Sequence, residues 1–218
     1  MKIRLNKAHF PVTVLGPGRR IGLWLQGCSI GCAGCCSRDT WEADAGRYVS
    51  VSTLVSWCKQ VGVGGLDGIT VSGGEPFDQP EALKDLLLEL CDWRTDAGLD
   101  FDILVYSGYA LSQLERGFAS TVRLADVVVP GPYVASRPSP TGLTGSTNQT
   151  LHFSNDDVQQ RYMQWLDEQA PGTRRRIQVA VDEAGVWFVG IPVAGDLAKL
   201  EDRCREAGLE LKDPSWRA

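Results

Sequence analysis

Strand-like apolar runs alternate with helical patterns along most of this 218-residue chain, and that order admits few folds. Ile21–Gln26, Gly68–Ser72, Phe101–Tyr106 and Ala125–Val129 read as strands. Helices are expected at 52–61, from about Ala110 to Arg116, at 155–169 and at 195–207. The clearest helix follows Pro80: Leu83, Leu86, Leu87 and Leu90 make one apolar face, Asp78 and Glu81 have capping-box spacing, and the pattern ends near Gly98. A β-α-β-α order calls for a mainly parallel sheet with crossover helices, as an open sheet or part of a barrel.

Ligands of such folds bind at the carboxyl ends of the strands. The segments least suited to helix or strand fall there. They are the cysteine loop after the first buried strand, Ser72-Gly73-Gly74-Glu75-Pro76 after the second, Ser107-Gly108-Tyr109 after the third and Pro130-Gly131-Pro132-Tyr133 after the fourth. Residues 130–154, rich in Pro, Gly, Ser and Thr, make a long loop, and loops of that length are usually functional or disordered.

Four of the seven cysteines lie within the nine residues Cys28–Cys36. Cys28, Cys32 and Cys35 have Cys-x3-Cys-x2-Cys spacing, which suits three thiolate ligands of an iron-sulfur cubane with one iron left open. Gly31 and Gly34 suit a loop that must curl tightly. Structural zinc is the alternative, but it normally takes four ligands from two knuckles, and no second Cys-x2-Cys pair exists. Cys36 as a fourth ligand, His9, His152 and a redox use of Cys32–Cys35 are weaker nominations. Cys36, Cys58, Cys91 and Cys204 are expected to be core or surface thiols.

A net charge of −5 argues against a general binder of nucleic acid or anionic membranes. The start, MKIRLNKAHFPVTVLG, reads as a first strand and not as a signal peptide, and no apolar run approaches the ~20 residues needed to span a bilayer. A cytoplasmic protein is therefore expected, in which clustered cysteines hold metal or do redox chemistry. Arg174-Arg175-Arg176 is expected to face solvent, and Gly62–Asp67 to be a helix-to-strand connection. An arginine at a strand edge such as Arg20 is commonly solvated, although it can bind a carboxylate.

Several ordered motifs carry a family resemblance. Gly16-Pro17-Gly18-Arg19-Arg20, Gln26-Gly27-Cys28-x3-Cys32-x2-Cys35 and Asp39-Thr40-Trp41 resemble the opening of the radical S-adenosylmethionine (SAM) activating enzymes of glycyl radical enzymes. Thr70–Pro76 resembles their glycine-rich SAM motif. Gly34, standing where most radical SAM proteins carry an aromatic residue, is most similar to the anaerobic ribonucleotide reductase activating proteins.

The resemblance spans about residues 12–150 and implies a partial (β/α)6 barrel, in a domain expected at residues 1–170. Residues 171–218 read from their own pattern as a hairpin around Glu183-Ala-Gly185 and a helix packed on the same domain, an extension that the short activating proteins do not explain. It implies a [4Fe-4S] cluster on Cys28, Cys32 and Cys35, with SAM chelated at the open iron and contacted by Gly73 and Gly74. Glu75, Ser107, Gly108 and Asn148, with Gln149 beside it, are further SAM or substrate candidates. Relatives often carry an acidic residue before Gly-Pro-Tyr/Phe, and Val129-Pro130 departs from that. The implied partners are a glycyl radical enzyme as protein substrate and an external electron donor such as flavodoxin or ferredoxin. Hydrogen abstraction from a small molecule or peptide is the second expectation, and a non-enzymatic metal module the third.

Overall fold

The computed structural model describes all residues except 44–46, 169–176, 183–184, 193–194, 213 and 218. The strands β1 (Lys2–Val12), β2 (Arg20–Leu25), β3 (Tyr48–Ser50), β4 (Gly68–Gly73), β5 (Asp102–Tyr106), β6 (Val127–Val129) and β7 (His152–Phe153) form one sheet, in the order β3-β1-β2-β4-β5-β6-β7. β2, β4, β5 and β6 run parallel. β1, β3 and β7 extend the sheet antiparallel, so the expected parallel centre is present and its flanks are mixed.

Alternation sorts the parallel strands onto two faces. Ile21, Leu23, Leu25, Ile69, Val71, Ile103, Val105 and Val128 point to one face, where α1 (Val51–Val61), α2 (Pro80–Asp96) and α3 (Leu111–Val122) cover them. Leu104, Val127 and Val129 point to the other, against Tyr162 and Val158 of α4 (Asp156–Glu168). Helix α3 outruns its expected end at Arg116. It continues through a kink at Phe118, φ −138°, whose ring lies 5.2 Å from that of Phe77.

Arg20 corrects the expectation of a solvated arginine, because it is fully buried. Register puts Gly68 of β4 between Arg20 of β2 and Asp102 of β5. A side chain at Gly68 would collide with the guanidinium, so glycine there lets Arg20 cross one strand and grip Asp102 with two bonds, at 2.6 and 3.1 Å. Tyr162 donates to the same carboxylate at 2.6 Å. This network lies at the amino ends of the strands, away from the cysteine loop.

β8 (Gln178–Asp182) and β9 (Gly185–Val189) make the expected hairpin, and α5 (Asp196–Glu206) the last helix. Trp187 and Val189 pack on Val12, Val14, Leu15 and Trp24. Gln178 fastens the hairpin to the end of β1, accepting from Thr13 N–H at 2.9 Å and donating to the Pro11 carbonyl at 2.6 Å. Glu183 and Ala184 of the expected turn, Arg174–Arg176 and the expected boundary at 170/171 lie outside the described residues. No helix among the described residues is long and apolar enough to cross a membrane.

Candidate functional site

The cysteine loop leaves the carboxyl end of β2 through a base held from several sides. Gly27 N–H donates to the Thr40 carbonyl at 2.7 Å and Cys28 N–H to the Trp41 carbonyl at 3.0 Å, so backbone carbonyls of Asp39-Thr40-Trp41 hold the base of the loop. The buried Gln26 side chain accepts from Asn6 at 2.6 Å and donates to the Asp39 carbonyl at 3.1 Å. Gln79 ties the Gln26 carbonyl to Arg4 of β1.

Gly31 and Gly34 have φ of +59° and +78°, the left-handed backbone expected of a tightly curled loop. All seven cysteines are free thiols. Burial pushes the Cys28 and Cys32 thiols up, while backbone N–H groups of Gly31 and Ile30 at Cys28, and of Tyr133 at Cys32, favour their thiolates. Among the described residues, no group of three His, Cys, Asp or Glu side chains converges on a single ion position. A cubane asks for something different, since each thiolate binds its own iron. Three unbridged thiols from one loop, with amide donors on two of the sulfurs, fit that requirement. Burial pushes the Cys36 thiol up to about 11, and its backbone carbonyl accepts from Ser215 at 3.1 Å. His9 stacks on Trp187 and His152 bonds Thr150, so neither joins the cysteines.

Gly73 and Gly74 sit where β4 closes on the cysteine loop. A Cβ on Gly73 would strike the Leu25 backbone and one on Gly74 the Gly27 carbonyl, so both positions require glycine for backbone approach. Gly74 N–H donates to the Leu25 carbonyl at 2.8 Å and Glu75 N–H to that of Gly27 at 2.9 Å. The Glu75 carboxylate is fully buried and accepts from Phe77 N–H at 2.9 Å, Ser107 Oγ at 2.9 Å and Gly108 N–H at 2.6 Å. Its side chain therefore joins the loop after β4 to the loop after β5. Burial raises its carboxyl to about 7, against those three donors.

Asp78 corrects the capping-box expectation. Gln79 occupies the N-cap of α2 with no side-chain cap. The Asp78 carboxylate turns instead to the cysteine loop, accepting from Ser29 N–H at 2.6 Å, Ser29 Oγ at 2.9 Å and the Tyr109 hydroxyl at 2.9 Å. Sequence spacing missed this use, because Ser29 lies 49 residues away.

A cavity of about 650 Å3 gathers Cys28, Cys32 and Cys35 with Gly73, Gly74, Glu75, Ser107 and Gly108. Gln149 lines it too, its amide bonded to Gly145 N–H and the Gly131 carbonyl. Asn148, next to it in the chain, is not among the lining residues; it donates to the Pro132 carbonyl at 2.8 Å, while its buried Oδ1 has no partner among the described residues. Trp187, Phe188, Ser215 and Trp216 of the carboxy-terminal segment also line the cavity, which was not foreseen from sequence.

A family model described as a 4Fe-4S single cluster domain matches residues 14–152. The anaerobic ribonucleoside-triphosphate reductase-activating protein of Escherichia coli K12 is 30% identical over 148 residues, covering 66% of this chain and 95% of the relative. The chain belongs to the radical SAM activating-protein family. The activating protein of the same name from Enterobacteria phage T4 is 28% identical over 145 residues, 66% of this chain and 90% of its own length. The pyruvate formate-lyase 1-activating enzyme of E. coli K12 is 39% identical over 77 residues, 34% of this chain and 31% of that enzyme. Radical SAM activating proteins work with a [4Fe-4S] cluster and SAM, and the cysteine loop and glycine-rich turn lie within the matched region. That region stops short of β8, β9 and α5.

Proposed function

We propose that this chain is an activase: it cleaves SAM reductively and removes a hydrogen atom from a glycine of a separate enzyme. The observation that carries it is the shared cavity, in which the Cys28, Cys32 and Cys35 loop and the Gly73-Gly74 turn meet at the carboxyl ends of β2 and β4. Residues 1–170 serve as a partial barrel whose rim holds the chemistry, and residues 171–218 as an extension packed on it, working in the reducing cytoplasm.

The cluster and SAM, when bound, supply one-electron cleavage of SAM to methionine and a 5′-deoxyadenosyl radical that takes the hydrogen atom. The protein supplies placement and exclusion of water. Cys28, Cys32 and Cys35 hold the cluster. The Gly74 carbonyl accepts no hydrogen bond among the described residues, which leaves it for the amino group of SAM. Glu75 fixes Ser107 and Gly108 beside that turn, and Asn148 offers its unpartnered Oδ1. An external one-electron donor such as a flavodoxin or ferredoxin completes the cycle.

The test is deuterium transfer. A glycyl radical enzyme from the same genome, labelled with dideuterated glycine, should pass deuterium into 5′-deoxyadenosine and gain a glycyl radical signal in electron paramagnetic resonance. SAM cleavage that draws no deuterium from any such enzyme would contradict the activase role. It would favour a small-molecule or peptide donor.

A further inference from the structure

The described residues that follow the matched family region are fastened to the site at two places. The hairpin is fastened to β1 through Gln178, and the tail to the cysteine loop through Ser215, whose Oγ donates to the Cys36 carbonyl and whose carbonyl accepts Arg38 N–H, both at 3.1 Å. Between these anchors the segment gives the cavity an aromatic wall. Trp187 packs beside Trp24, and Trp216 meets Phe188 edge to face at 5.9 Å with its indole N–H held by Glu201 at 2.6 Å. Trp24 and Trp41 line the same cavity.

We infer that this carboxy-terminal wall recognises the hydrogen donor, with Trp187 and Trp216 setting specificity for an extended polypeptide segment whose side chains beside the reacting glycine are apolar. The inference rests on the activase role and deepens it. A cavity of about 650 Å3, shared with the cluster and SAM, is far too small for a folded domain, so a protein donor can enter only as an extended segment. Aromatic walls gain from apolar neighbours, and a charged side chain seated against them loses hydration; Lys7, Asp39, Arg47, Glu210 and Lys212 also line the cavity, so the preference is assigned to the two tryptophans and not to the whole lining. Tryptophan anchors in a desolvated pocket are also where binding energy concentrates.

The test uses the full chain, reconstituted anaerobically with iron and sulfide, in the presence of SAM and without reductant. Calorimetry compares the peptides Ac-Ala-Leu-Gly-Phe-Ala-NH2 and Ac-Ala-Glu-Gly-Lys-Ala-NH2. The apolar peptide should bind at least tenfold tighter, and Trp187→Ala and Trp216→Ala should each cut that preference to about twofold. Trp187→Phe should keep most of it, and Val63→Ser, 85% exposed in the turn after α1, should keep all of it. Iron content serves as the check on folding. Equal affinity for the two peptides, no binding of either, or a preference that survives both alanine variants would overturn the inference. Because no turnover is needed, those outcomes are separate from failure of the activase role, which would show as SAM cleavage that draws no deuterium from any glycyl radical enzyme.

Discussion

Asp78 binds both the backbone N–H and the hydroxyl of Ser29, at 2.6 and 2.9 Å, and so ties the cysteine loop to the loop after β4. Tyr109 reaches the same carboxylate from the loop after β5. Hydrogen bonds to a charged acceptor are worth about 1.5–3 kcal/mol each at most, and here they fix the residue next to Cys28. Asp78→Ala should retain at least twofold less iron after gel filtration and lose its brown colour faster in air than the parent. Asp85→Ala, at the ion pair with the N-terminus, should do neither.

Replacing Cys28, Cys32 or Cys35 with Ala should abolish the cluster absorbance. Cys36→Ala should keep it, since the Cys36 thiol is held up at about 11 by burial and its carbonyl serves the tail latch. Loss of iron from the Cys36 variant would show a fourth ligand.

Glu75 should leave a mark on stability against pH. Its folded carboxyl lies at about 7, above the ordinary 4.5, because burial penalises the charge. The folded chain therefore holds this proton more tightly than the unfolded chain does. The stability it contributes is full below pH about 4.5 and is lost as pH rises through 7. Urea unfolding of the cluster-free protein at pH 5 and pH 8 should differ by on the order of 3 kcal/mol more in the parent than in Glu75→Gln.

Arg20 should prove structural. Arg20→Met leaves the Asp102 carboxylate buried with Tyr162 and Arg161 and without its bidentate partner, at a cost of about 3–5 kcal/mol in urea unfolding. Arg20→Lys should recover little, because an ammonium cannot make both bonds to the carboxylate.

The sequence showed the parallel centre and the cysteine loop because both are local patterns: period-two strands, period-3.6 helices and short Cys spacing. Arg20 shares a face with Trp24 by simple alternation, but its pairing with Asp102 depends on register across Gly68, which no local pattern carries. Asp78 satisfied capping-box spacing, yet Ser29, distant in the chain, took its carboxylate. The same limit hid the carboxy-terminal wall. The hairpin was legible from its two apolar runs, whereas its seat against Trp24 and the Ser215 bond to Cys36 are tertiary facts.

The role proposed for the Cys28, Cys32 and Cys35 loop is to hold a cluster that cleaves SAM. Protein reconstituted without oxygen, then given SAM and dithionite, is assayed for metal and for 5′-deoxyadenosine. The expected result is brown protein with about four irons per chain and formation of 5′-deoxyadenosine. Colourless protein holding one zinc and forming none would contradict it.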